Sequence, residues 1–198
     1  MIARILVVGQ GPNDMGFLEG LRYRLGCDAE LIDYSANPHL RKRGSYTKTN
    51  DARLIWERRE NADLIVRLTD GDVDRPQEVR RKERKCWPEE AWPLLVVGVC
   101  DRDVEHWLCL DPDYAGRVLG FDAHQLPGDR EERSGFVKSR IRLTCPDGDY
   151  RSFVCRIVRD APPETLKRWL ANGAFADFYE QCRDAAQQHD CVVANLRD

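Results

Sequence analysis

The chain has 198 residues, of which 42% are hydrophobic and 33% charged, and its formal net charge is −3. That length makes one domain with room for a small appendage, and the near-normal apolar share excludes global disorder. The longest apolar runs, ILVV before Gly9 and residues 94–100, are too short to span a membrane, and the slightly negative charge excludes a global positive field that recruits nucleic acid.

Residues 2–8 are β-branched and continuously apolar, which predicts a fully buried strand. The turn Gly9-Gln10-Gly11-Pro12-Asn13-Asp14 leads into Met15, Leu18, Leu21 and Leu25, an apolar stripe at helical spacing that Gly26 stops. Residues 29–34 predict a second strand, and the polar, basic residues 38–49 a loop. Asn50 is placed to cap a helix running to Glu60. Residues 62–68 predict a third strand, followed at once by Thr69-Asp70-Gly71-Asp72-Val73-Asp74. Pro76 suits the first turn of a basic helix that ends near Lys85. Residues 94–100 form the fourth and most apolar strand, and a helix is expected over 103–110. Strands alternating with helices predict parallel pairing, right-handed crossovers and helices on both faces of the sheet.

Downstream the pattern changes. Residues 136–144 and 150–158 alternate on either side of Pro146-Asp147-Gly148-Asp149, which predicts a β-hairpin. Pro162-Pro163 opens one further helix, and residues 174–188 form another. The expected organisation is an α/β domain over 1–127 and a C-terminal hairpin with helices over 136–198, packed on it.

The eight cysteines include no CxxC pair, which argues against a zinc ribbon or a redox motif. Several lie in apolar runs as small core residues, as in a reducing compartment. Met1 runs straight into the first strand without a basic leader, so a cytoplasmic location is expected. His39, His124 and His189 are isolated and His106 reads as a surface residue or a local hydrogen bonder, so no histidine-based zinc site is expected.

In an open parallel sheet, sites form at the carboxyl ends of the strands. Gln10 and Asp14 follow the first strand, Asp70, Asp72 and Asp74 the third, and Asp101, Asp103 and Glu105 the fourth. Several carboxylates gathered at one edge cannot stay ionised together without a cation between them. Oxygen-only ligands suit Mg²⁺ or Mn²⁺, and two such ions can clamp an in-line phosphoryl displacement. Asp74, Asp101 and Asp103 read first as turn or cap residues. Asp70 with Asp72 is the expected ligand pair. Glu105, in a first helical turn, fits either a helix-dipole role or a place in the site.

The order strand, G-x-G-P-x-D, helix, strand, helix, strand, D-x-D, helix, strand resembles a Toprim domain, the metal-binding module of topoisomerases, primases and overcoming-lysogenization-defect nucleases. The segment GQGPNDMGFL at 9–18 is similar to the opening Toprim motif, and Asp70 with Asp72 to its D-x-D. The segment VEHWLCLD at 104–111 is similar to an I-E-x-W-L-L-A-D signature of small bacterial Toprim-like proteins, often encoded beside an ABC-type ATPase in defence islands. The resemblance covers roughly residues 1–115. It implies a Toprim-like Rossmannoid fold, Mg²⁺ or Mn²⁺ at Asp70, Asp72 and Gln10, a catalytic group of Gln10, Asp14, Asp70, Asp72 and Glu105, and a setting in anti-phage defence. One position departs: the Toprim opening acid is Glu, and here it is Gln10, which lacks the charge and cannot act as a general base. Natural loss of catalysis, transfer of the role to Asp14 or Glu105, and a deliberate Glu→Gln replacement all remain open at this stage.

The basic residues Arg41, Lys42, Arg43 and Lys48, and Arg80, Arg81 and Arg84, are expected to seat a nucleic-acid backbone, DNA rather than RNA. The leading expectation is a metal-dependent nuclease acting on phosphodiesters. The alternative is a non-catalytic Toprim-like subunit that binds an ABC-type ATPase or nucleic acid. A small-molecule nucleotide binder is the third. The glycines of 9–16 form neither a P-loop nor a dinucleotide fingerprint.

Overall fold

The computed structural model describes residues 4–9, 11–34, 49–59, 62–71 and 75–188. Four apolar runs become β1 (Arg4–Val8), β2 (Glu30–Asp33), β3 (Leu64–Asp70) and β4 (Leu95–Cys100). They pair in parallel in the order β2-β1-β3-β4, with Val7 beside Val66 and Val66 beside Val96. Val7, Val66 and Val97 are all buried, as expected of strands covered on both faces.

Side-chain alternation divides the interior into two layers. Ile5, Val7, Val66, Leu68, Val96 and Cys100 face the larger core. Leu6, Val8, Ile65, Val97 and Val99 face the smaller one. The smaller core is closed by α2 (Thr49–Glu57) through Ala52 and Ile55, and by α3 (Pro76–Cys86) through Val79. The larger is closed by α1 (Pro12–Arg24), α4 (Val104–Leu108), α5 (Pro112–Leu119) and the helices that follow them. The single helix expected over 103–110 is interrupted at Cys109, and Asp111 caps a new helix through the Tyr114 N–H.

The expected C-terminal hairpin is not formed. Its two arms are α6 (Arg130–Thr144) and α7 (Tyr150–Arg159), followed by α8 (Pro163–Leu170) and α9 (Gly173–Gln188). The physical reason lies in which residues are buried: Ser134, Val137 and Ile141 in α6, and Val154, Cys155, Ile157 and Val158 in α7. Those are helical spacings that coincide over short windows with alternation. Asp129 caps α6 through the N–H groups of Glu131 and Glu132, and Asp149, read as a turn residue, caps α7 through the Ser152 N–H.

α7 lies directly against α1. Gly16 and Gly20, one turn apart on α1, face the backbone carbonyls of Arg151 and Cys155, and a Cβ at either glycine would collide with them. The Tyr114 hydroxyl donates to the Ile157 carbonyl at 2.6 Å, tying α5 to α7. Phe17, Trp107, Trp169, Phe175 and Phe178 form one buried aromatic cluster, with Trp107 and Phe175 edge to face at 5.4 Å. The first turns of α1 and α4 are thereby held from behind by the C-terminal helices. The described cysteines are free thiols, most of them buried. Among the described residues, no helix is long and apolar enough to cross a membrane.

Candidate acidic site at the carboxyl edge of the sheet

β1 delivers the chain to Gly9 and then to α1, whose first turn carries Asp14, 8% exposed. β3 ends on Asp70, which pairs in register with Cys100 at the end of β4. Beyond β4, Asp103 caps α4 and Glu105 occupies its first turn, 5% exposed. Asp14, Asp70, Asp103 and Glu105 thus meet at one edge, on the face occupied by α1 and α4. Gln10, Asp72, Asp74, Arg41, Lys42, Arg43 and Lys48 lie outside the described residues.

The electrostatics of this edge are those of crowded, desolvated carboxylates. Burial, and then the charges of Asp14, Asp103 and Glu105, push Asp70 up to about 7 from an ordinary 3.8. Burial, and then Asp103, push Glu105 up to about 7, against a hydrogen bond from Asn13 and the charge of Lys138. Asn13 Nδ2 donates to Glu105 Oε1 at 2.7 Å, while the Asn13 Oδ1 atom is buried with no hydrogen-bond partner. Lys138 of α6 donates to Asp103 Oδ2 at 2.8 Å and stands 3.9 Å from Glu105 Oε2. Asp103 also accepts from the His106 N–H at 3.0 Å and from the Ser134 hydroxyl, so it is both a cap and an anchor for α6.

The donors are oxygens of the type that hard divalent cations prefer. Among the described residues, no three Asp, Glu, His or Cys side chains form a group that could hold a metal ion. The mutual repulsion of Asp70, Asp14 and Glu105 is instead met in part by Lys138, whose charge lowers both Asp70 and Glu105.

The other residues of the 101–111 segment have structural work. Asp101 accepts from Asn172 Nδ2 and faces His106 Nε2 at 4.0 Å, joining the β4–α4 turn to the start of α9. Burial pushes the His106 imidazole below its usual range. Trp107 belongs to the aromatic cluster, and Asp111 accepts from Thr165 and Arg168, each at 2.6 Å.

The basic helix α3 sits on the opposite face of the sheet from Asp14 and Glu105. Arg80 reaches around β4 to pair with Asp177 of α9, and Arg84 stacks on Trp92 at 5.1 Å. Arg81 is exposed. In the smaller core, Arg67 is buried against Glu83 at 3.3 Å and donates to the Val8 carbonyl at 3.1 Å. It therefore fixes the carboxyl end of β1 just before the acidic edge.

Sequence reasoning missed Asn13, Lys138, Arg142 and Tyr150. They surround a cleft of about 220 Å³ beside Glu105, together with Pro12 and Ile141. The signal was present: Lys138 and Arg142 are four apart, which on a helix puts both on one face.

No family model, curated protein or solved structure matches this chain. Its own residues and geometry are what bear on function.

Proposed function

We propose that the chain is a Toprim-like protein that binds Mg²⁺ or Mn²⁺ at its acidic edge and acts on nucleic-acid phosphodiesters. The observation that carries the reading is the meeting of Asp14, Asp70 and Glu105, brought from three separate strand ends to one face of the carboxyl edge of a parallel sheet. Bound there, a divalent cation would polarise a phosphoryl oxygen and neutralise the charge that develops on it. The protein's own groups have distinct parts. Asn13 holds Glu105 by Oε1 and leaves Oε2 to give or take a proton, and a carboxyl near neutrality suits that exchange. Lys138 screens Asp103 and Glu105 from the phosphate. An ABC-type ATPase partner and a role in bacterial anti-phage defence rest on the likeness of residues 104–111 alone.

Lys138 also favours a second reading, a non-catalytic subunit of the same fold. An ammonium already seated among the carboxylates does part of a metal ion's work. Gln10, which cannot serve as a base, points the same way. Calorimetric titration with Mn²⁺, paired with an Mg²⁺-dependent cleavage assay, separates the two. Saturable binding that weakens at least about tenfold in Asp70→Ala, with cleavage of DNA or RNA, is the result expected of the nuclease. Binding without cleavage would favour the subunit, and no Mn²⁺ binding by the wild type would remove the metal site altogether.

A further inference from the structure

The cleft beside Glu105 is outside every assignment made so far. Its walls come from the opening of α1 (Pro12, Asn13), from α6 (Lys138, Ile141, Arg142) and from the first residue of α7, Tyr150. The last four lie beyond the part of the chain that resembles a Toprim domain. Two cations, an aromatic residue and the apolar Pro12 and Ile141 line an open cleft of about 220 Å³, the side-chain chemistry that takes a phosphate and a base.

The charges in the cleft are unequally committed. Lys138 is held by Asp103. Arg142 is exposed and makes no ion pair among the described residues, leaving its guanidinium fork free for a phosphate. Tyr150 is half-buried, packs against the larger core and lines the cleft, with no partner for its hydroxyl among the described residues. The N-cap of α1 is Gly11, which supplies no side-chain cap, and the helix opens on the same cleft through Pro12. Among the described residues, Glu105 is the one acid on the wall. Its Oε1 accepts from Asn13 Nδ2 and its Oε2 lies 3.9 Å from Lys138, which offsets part of its repulsion toward a phosphate.

We infer that this cleft holds one nucleotide of a single-stranded nucleic acid, with the phosphate on Arg142 and Lys138 and the base against Tyr150. This rests on the phosphodiester reading above and deepens it: the strand enters over α6 and α7, and the phosphate beside the bound nucleotide reaches the acidic edge at Glu105. The basic helix α3, on the far side of the sheet, is not the seat of the strand.

The test is fluorescence anisotropy of the full chain with a labelled short oligothymidylate, with and without a 5′-phosphate, in Mg²⁺ and again in EDTA. Arg142→Ala should weaken binding at least about tenfold, the worth of one charge-assisted contact to phosphate. Tyr150→Ala should weaken it by a similar factor through lost stacking. Arg81→Ala, on α3, should leave it unchanged. Greater affinity for the 5′-phosphorylated strand would assign the cleft to a strand end, and equal affinity to an internal phosphodiester; either agrees with the inference. Wild-type binding retained in both cleft variants would overturn it. So would an equal loss in Arg81→Ala, which marks diffuse attraction, or no binding of the oligonucleotide by the wild type. Arg142 is exposed, so its replacement leaves the fold intact, and far-ultraviolet circular dichroism confirms that for each variant. Failure of the metal reading looks different: Mn²⁺ gives no heat, while oligonucleotide binding and its dependence on Arg142 persist in EDTA.

Discussion

A carboxyl group that folding brings from an ordinary 3.8 to about 7 makes stability depend on pH in a definite direction. Between those values the folded protein holds a proton on Asp70 that the unfolded chain has lost. The stability of the metal-free protein should therefore fall as pH rises through that window, and the penalty should be complete above about 7. Asp70→Asn removes the titration. It should stabilise the metal-free protein by on the order of 1–2 kcal/mol above the window and change little below it, read from urea unfolding at each pH. A flat wild-type profile would refute the crowding of carboxylates at this edge. The buried Arg67–Glu83 pair predicts the opposite kind of behaviour. Glu83→Ala strands a guanidinium in the smaller core and should cost about 3–5 kcal/mol. Because Arg67 also grips the Val8 carbonyl, hydrogen exchange at the end of β1 should rise in the same variant.

Among the elements, the four strands and the helices between them were legible because each is a short apolar run bounded by Gly, Pro or Asp. β3 and β4 could hardly be read otherwise, since nearly every residue in them is buried. The C-terminal arms were misread for a physical reason. Val137 and Ile141, or Val154 and Val158, recur at four, which satisfies a helix and also an alternating strand. The caps at Asp129 and Asp149 were the deciding signal, and Asp149 beside Gly148 looked instead like a hairpin turn. Gly16 and Gly20 could be seen in the sequence, but the helix they receive could not, because it lies more than a hundred residues away. Replacing either with Ala should push α7 off α1 and cost at least about 1–3 kcal/mol in chemical denaturation, as overpacking does in a tight interior. A neutral result would mean that the two helices do not approach through these glycines.

At the scale of the whole molecule, half of the acidic edge was legible and half was not. Asp14, Asp70 and Glu105 were found because strand ends are where a parallel sheet gathers loops, a rule of topology that needs no contacts. Lys138, Arg142 and Tyr150 were not, because their relation to that edge exists only once α6 and α7 fold back over α1. The contact between α7 and the glycine stripe of α1 also bears on where this chain can be divided. Residues 1–127 alone would leave Gly16, Gly20, Phe17 and Trp107 without the helices that cover them, while 128–198 would present a helical layer with nothing to pack on. Expressed apart, the two pieces should each be largely unstructured or aggregation-prone, and mixed they should recover the circular dichroism of the intact protein. The break between them would then serve as a reporter: two halves that light up only when α1 and α7 meet would measure, in a living cell, the assembly of the edge on which the acids stand.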